Sequence, residues 1–131
     1  MNIDTSMKVI VIDDMMTMRK ILSKMLKEIG FSDITEADDG ASAWPLIEEA
    51  HNTGKPYQLI VSDWNMPNMS GLDLLLKVKD TEGINKAAFL MITAEAEQSK
   101  IINVVEAGAS DFLVKPFKSD ALKDKINKIF S

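Results

Sequence analysis

The sequence predicts an α/β fold, a parallel sheet covered by helices on both faces, and three observations carry that prediction. Apolar runs alternate five times with segments of helical period, the pattern of repeated βα units. Four of the runs are near-continuous in large apolar residues: Val9-Ile10-Val11-Ile12, Leu59-Ile60-Val61, Phe89-Leu90-Met91-Ile92 and Phe112-Leu113-Val114. Strands buried on both faces read in this way. The same four runs end in polar residues, Asp13-Asp14, Ser62-Asp63, Thr93 and Lys115. Parallel strands put their carboxyl ends along one edge, so these groups converge there although far apart in sequence.

The first unit covers residues 8–30: a strand, then a helix in which Ile21, Leu22, Met25, Leu26 and Ile29 recur at helical spacing, with Gly30 placed to end it. A weaker strand near residues 34–37 precedes a helix opening at Asp38-Asp39-Gly40, with Ala43, Leu46, Ile47 and Ala50 inward. Pro45 near the start of that helix predicts a late start or a slight kink. Residues 51–56, with Gly54 and Pro56, read as a polar loop. The third unit is a strand over 57–62, a loop over 63–71 and a helix carrying Leu72, Leu74, Leu75 and Val78. The fourth strand, 88–92, leads to a helix with Ile101, Ile102, Val104 and Val105, closed by Gly108. The fifth, 111–114, precedes Lys115-Pro116 and a last helix with Ser119 as N-cap and one stripe of Leu122, Ile126, Ile129 and Phe130.

A chain of 131 residues fits one domain, 1–131, able to bury a core without disulfides or structural metal. At 46% hydrophobic and 27% charged residues it is neither disordered nor membrane-spanning. No apolar stretch approaches the roughly 20 residues that cross a bilayer, and the first seven residues lack a signal-peptide pattern. Zero cysteines exclude thiolate chemistry and fit the cytoplasm, the location expected by default. The net charge of −5 argues against a nucleic-acid partner. Lys115, Lys118, Lys123, Lys125 and Lys128 outnumber Asp120 and Asp124 near the C-terminal end, which reads as a solvated helix face in preference to a partner-steering patch.

Adjacent Asp13 and Asp14 at the end of a buried strand repel each other, and a cation removes the conflict. Oxygen-only ligands point to Mg²⁺ or Mn²⁺. An isolated Asp-Asp would read as a helix-capping pair; Asp63 and Lys115 at equivalent strand ends favour the metal. Asp63 is the candidate nucleophile, because a carboxylate can attack phosphorus to give an acyl phosphate when a metal and a cation neutralise the incoming charge. Lys115 is that cation, and Thr93 offers a hydroxyl that can turn toward a phosphoryl oxygen or away from it.

Asp13-Asp14, Ser62-Asp63-Trp64-Asn65-Met66-Pro67 followed by Gly71, Thr93-Ala94-Glu95-Ala96 and Lys115-Pro116-Phe117 resemble the motifs of two-component receiver domains, especially the stand-alone chemotaxis branch of CheY type. The likeness spans about residues 7–130. It implies a flavodoxin-like (βα)5 three-layer sandwich with strand order 2-1-3-4-5, for which flavodoxin and CheY are themselves the standard examples, and a site at the switch point. It also implies one receiver domain with no output domain.

By the same resemblance Asp63 is the phosphoacceptor. Asp14 and Asp63 bind Mg²⁺ directly, the Asn65 backbone carbonyl is a third ligand, and Asp13 acts mainly through metal-bound water. Lys115 binds the phosphoryl group across a cis bond to Pro116. Phosphorylation draws Thr93 toward the phosphate and vacates space for Phe112 to turn inward, changing the face that the fourth helix, fifth strand and fifth helix offer to a partner. A tyrosine is usual at Phe112; the phenylalanine can turn but carries no hydroxyl, and the alternative is a permanently buried core aromatic. Asn65 and Glu95 match positions that flank the path of the hydrolysing water, implying a short-lived phosphoryl group.

The implied partners are a chemotaxis histidine kinase as donor, the flagellar motor switch as target and a phosphatase, with no nucleic acid and no membrane. A phosphate sink that drains the kinase without a motor target is the alternative. A general Mg²⁺-dependent phosphohydrolase is disfavoured, since no cap segment encloses a substrate and Asn65 stands where a second acid is needed. The chain is expected to be a cytoplasmic monomer and not an enzyme, catalysing only its own phosphorylation and autodephosphorylation. Trp64 reads as a partly exposed structural aromatic, Trp44 and His51 as structural or surface residues, and the nine methionines as gap-filling and surface residues.

Overall fold

Five parallel strands, β1 (Lys8–Ile12), β2 (Asp33–Ala37), β3 (Leu59–Asp63), β4 (Ala88–Thr93) and β5 (Asp111–Val114), pair in the order β2-β1-β3-β4-β5. Between and after them run α1 (Met16–Ile29), α2 (Gly40–Asn52), α3 (Gly71–Lys79), α4 (Gln98–Glu106) and α5 (Ser119–Ile129), with a 3-10 turn over Ile84–Lys86. The structure, a computed structural model, describes residues 4–94 and 98–130, and for 98–101 the backbone alone.

Strand period divides the core in two. Ile10, Ile12, Ile60, Phe89 and Met91 point to one side of the sheet, against Ala43, Trp44 and Ile47 of α2, Leu74, Leu75 and Val78 of α3, and Val104 of α4. Val9, Val11, Leu59, Val61, Leu90, Ile92 and Leu113 point to the other, against Leu22 and Leu26 of α1 and Leu122 and Ile126 of α5. Each helix presents residues one turn apart, the spacing that keeps a single apolar face on the sheet. The result is the expected three-layer, flavodoxin-like sandwich. Strand order reverses about β1, which opens a crevice at the carboxyl ends of β1 and β3.

Several boundaries differ from expectation. No late start occurs at Pro45, which lies inside α2. The helix is fixed earlier because Asp39 accepts the Ser42 N–H at 2.7 Å while the Ser42 hydroxyl accepts the Asp39 N–H at 3.2 Å, a reciprocal cap. His51 and Asn52 belong to α2 and not to the loop, and β3 begins at Leu59, with Tyr57 buried ahead of it. Ser119 is the first helical residue of α5 and not its cap; extended Lys118 holds that position without a side-chain bond. On α4 Val104 packs inward while Ile102 and Val105 are 45% and 56% exposed; the side chain of Ile101 lies outside the described residues. Gly30, at φ 127°, closes α1 as expected, donating its N–H to Leu26 and Lys27 carbonyls.

Candidate functional site

Strand register assembles the site one residue at a time. Ile12 of β1 is level with Ser62 of β3, which brings Asp13 and Asp63, the next residue of each, level as well. Asp63 pairs with Ile92 of β4, and Thr93 with Val114 of β5, so from β3 onward the polar residue advances by one position at each strand and Lys115 follows at the end.

Asp13 is fully buried and tied on several sides. Its N–H donates to the Ala37 carbonyl at 3.2 Å, its Oδ1 accepts the Met15 N–H at 2.9 Å, and its carbonyl oxygen accepts Arg19 Nη1 at 2.8 Å. Lys115 Nζ lies 3.3 Å from Asp13 Oδ2 and 3.3 Å from Asp63 Oδ1. The Lys115 N–H donates to the Thr93 carbonyl at 2.7 Å, which fixes where the side chain departs from β5; the Lys115-Pro116 bond is cis, as expected. Thr93 is buried at the end of β4. Asp63 Oδ1 also accepts the Trp64 N–H at 2.9 Å.

One carboxylate oxygen from each of Asp13, Asp14 and Asp63 lies within 4.8 Å of the others. With only the Lys115 ammonium paired to this group among the described residues, three negative charges face one positive. Burial, and next the charge of Asp13, raise the Asp63 carboxyl above its usual pKa, against the opposing pull of Lys115 and the Trp64 N–H. A crowded all-oxygen donor set with excess negative charge fits a small hard divalent cation.

The β3–α3 loop is held against the sheet by its backbone. The Gly71 N–H donates to the Trp64 carbonyl at 2.8 Å, and a Cβ at Gly71 would collide with the Asp63 carbonyl oxygen. Asn68, at φ 66°, donates from Nδ2 to Asp39 Oδ2 at 2.9 Å. Asn65 is exposed on this loop, and Glu95 lies outside the described residues. Phe112 is partly and not fully buried, packed on the α2–α3 side of the core, with Lys125 Nζ 5.1 Å from its ring centroid.

Three connections had no signal in the sequence, because each joins residues distant along the chain or unpaired by any motif. They are Arg19, which bonds Glu36 Oε1 at 3.2 Å as well as the Asp13 carbonyl; Asn68 to Asp39; and Lys125, whose Nζ is 3.2 Å from Asp111 Oδ1. The remaining aromatics have structural surroundings: Trp44 is buried beneath Lys77, His51 packs on Gly83, and Trp64 is partly buried. Met7 and Met91 fill the core, whereas Met15 and Met16 are exposed.

Residues 9–127 match the family model described as response regulator receiver domain. The chain is 42% identical over 124 residues to chemotaxis protein CheY of Pseudomonas aeruginosa, covering 95% of this chain and 96% of that one. It is 40% identical over 128 residues to chemotaxis protein CheY-3 of Vibrio cholerae, covering 98% and 95%. The solved structure of chemotaxis response regulator CheY4 of Vibrio cholerae superposes with a TM-score of 0.84 at 28% identity, covering 95% of this chain and 98% of that one.

Proposed function

The chain belongs to the response regulator receiver domain family, as a receiver of CheY type, and from that premise we propose that it is a phosphorylation-activated switch of chemotactic signalling. The observation that carries the reading is Lys115 Nζ, 3.3 Å from both Asp13 Oδ2 and Asp63 Oδ1. An ammonium shared by two acids can move onto phosphoryl oxygens as they arrive at one of them.

A chemotaxis histidine kinase is the donor. An Asp63 carboxylate oxygen attacks phosphorus, the phosphorus–nitrogen bond to the kinase's ring-protonated phosphoimidazole breaks with its electron pair going to nitrogen, and the imidazole departs neutral while Asp63 becomes an acyl phosphate. Asp13, Asp14, Asp63 and the Asn65 backbone carbonyl are the groups that would hold Mg²⁺, or Mn²⁺. When bound, the ion supplies neutralisation of charge on the transferring oxygens. Thr93 turns its hydroxyl to the phosphoryl group, Phe112 takes the space released, and the face built from α4, β5 and α5 is presented to the flagellar motor switch protein. Asn65 and Glu95 border the path of the water that ends the signal, and a phosphatase is a further partner. The chain catalyses nothing beyond its own phosphorylation and its loss, and works as a cytoplasmic monomer of one domain. Phe112, which offers a partner no hydroxyl, favours one second reading, a phosphate sink without a motor target.

Binding to a peptide from the motor switch protein's N-terminus, with Mg²⁺ and with or without beryllofluoride as phosphoryl mimic, separates the two. Tighter binding on activation, absent in Asp63→Asn, supports the motor-directed switch. Unchanged binding at confirmed beryllofluoride occupancy moves the assignment to the sink.

A further inference from the structure

We infer that Lys125 is a positioning residue for Phe112, holding the ring in its resting orientation and so setting how readily the chain accepts the phosphoryl group; this rests on the switch reading above. Lys125 Nζ stands 5.1 Å from the Phe112 ring centroid and 3.2 Å from Asp111 Oδ1. That same Oδ1 accepts the Phe112 N–H at 2.8 Å. One carboxylate oxygen therefore fixes both the backbone of Phe112 and the ammonium that caps its ring. The clamp is sheltered: the side chains of Asp111 and Lys125 are 10% and 30% exposed, which limits screening by solvent and salt.

The aromatic at this position is a phenylalanine, with no hydroxyl through which a hydrogen bond could hold it. The attraction between the ammonium and the ring face is then the directional force on an otherwise apolar, half-buried group. Turning the ring inward forfeits that contact. The clamp consequently favours the resting state, and whatever favours the resting state weakens phosphoryl binding by the same factor. A partner that offers a carboxylate to Lys125 competes with Asp111, opens the clamp and favours the inward ring. Acidic partner and phosphoryl group thus strengthen each other's binding through one lysine.

The test is the dissociation constant for beryllofluoride with Mg²⁺, read by intrinsic tryptophan fluorescence because Trp64 adjoins Asp63. Lys125→Met should bind about two- to fivefold more tightly than the unaltered chain, the size of one partly exposed cation–ring contact. Lys125→Arg, which keeps both the charge and the ring contact, should stay near the unaltered value, as should Lys123→Met, which removes the same charge from an exposed position on α5. A Lys125→Met constant within 1.5-fold of unaltered protein by this measure, or an equal shift in Lys123→Met, overturns the clamp while leaving the receiver reading intact. Failure of the unaltered chain to bind beryllofluoride at all would remove that reading and the clamp with it.

Discussion

Lys115 Nζ lies 3.3 Å from Asp63 Oδ1, and the same ammonium is equally close to Asp13 Oδ2. One positive charge is divided between two buried carboxylates while Asp14 stands exposed beside them. The resting site therefore carries uncompensated negative charge, and the protein keeps it there because packing of the strands, and not local attraction, dictates where the three acids sit.

Asp63→Asn should stabilise the metal-free protein at neutral pH. The folded state raises the Asp63 pKa, first by burial and then through Asp13. Between the ordinary carboxylate value and the raised one, the folded chain holds more proton than the unfolded chain. Stability from this group accordingly falls as pH rises through that window and stays reduced above it. The asparagine carries no such penalty, so its Tm at pH 7 without divalent ions should exceed that of the unaltered chain by roughly 2–5 °C, the scale of about 1 kcal/mol in a domain of this size. The advantage should shrink as pH falls toward the ordinary carboxylate range. An advantage that is constant with pH, or a loss at pH 7, would contradict this electrostatic picture.

A bound divalent cation should reverse that balance. An ion that binds only the folded state at 100 times its dissociation constant stabilises by about 2.7 kcal/mol. Thermal denaturation with increasing MgCl₂ should show a rising Tm for the unaltered chain, a much smaller rise for Asp14→Asn and none for Asp63→Asn. Equal rises in all three would place the ion elsewhere.

The strand ends were legible in the sequence because parallel strands make burial and position speak together. Val9 to Ile12 is apolar without alternation, so a following Asp pair marks the carboxyl end of a buried strand, and the motif around Asp63 supplied the rest. Less was legible where contact crosses the chain. Ser119 has the chemistry of a cap, yet backbone geometry after Pro116 gives the place to Lys118. Pro45 reads as a late helix start, but the cap at Asp39 and the burial of Ala43 and Trp44 outweigh one missing N–H. Nothing in the residue order could pair Asp111 with Lys125, since any lysine of α5 was a candidate until the helix was docked.

Gly71→Ala should damage stability and the site together. The methyl group would be driven into the Asp63 carbonyl oxygen, with Met91 Sδ 2.9 Å and Trp64 Cα 3.0 Å away. Two of the three neighbours are backbone atoms, one of Asp63 at the end of β3 and one of Trp64, whose N–H is tied to the Ile92 carbonyl, so the chain must yield at or beside the residue bearing the candidate nucleophile. A cost of about 1–3 kcal/mol is typical of such overpacking. Denaturant titration should show the loss, and beryllofluoride binding by the fraction that remains folded should be weaker than normal. Unaltered stability would mean that the α3 junction is looser than the contacts imply.

The strap between Asn68 and Asp39 should matter through two separable effects. Asn68 holds a positive φ of 66° and donates to Asp39 Oδ2, while Asp39 also caps α2 through the Ser42 N–H. Asn68→Gly keeps the backbone conformation and loses only the hydrogen bond. Asn68→Ala loses the bond and strains the backbone as well, a further cost of about 1–2 kcal/mol. The alanine variant should therefore be clearly less stable than the glycine variant. Asp39→Ala removes cap and strap together and should cost about 1–2 kcal/mol at pH 7. The hydrogen bond from Asn68, then that from the Ser42 N–H, lower the Asp39 pKa; its contribution is present above the ordinary carboxylate pKa and is lost as pH falls through the lowered one. The stability gap between Asp39→Ala and the unaltered chain should narrow in acid, as that of Asp63→Asn does, but with the opposite sign, since here the unaltered chain is the more stable of the pair at pH 7. Equal stability of Asn68→Gly and Asn68→Ala in urea denaturation would show that the positive φ relaxes at no cost, and a gap for Asp39→Ala that is independent of pH would show that the strap acts through packing and not through charge.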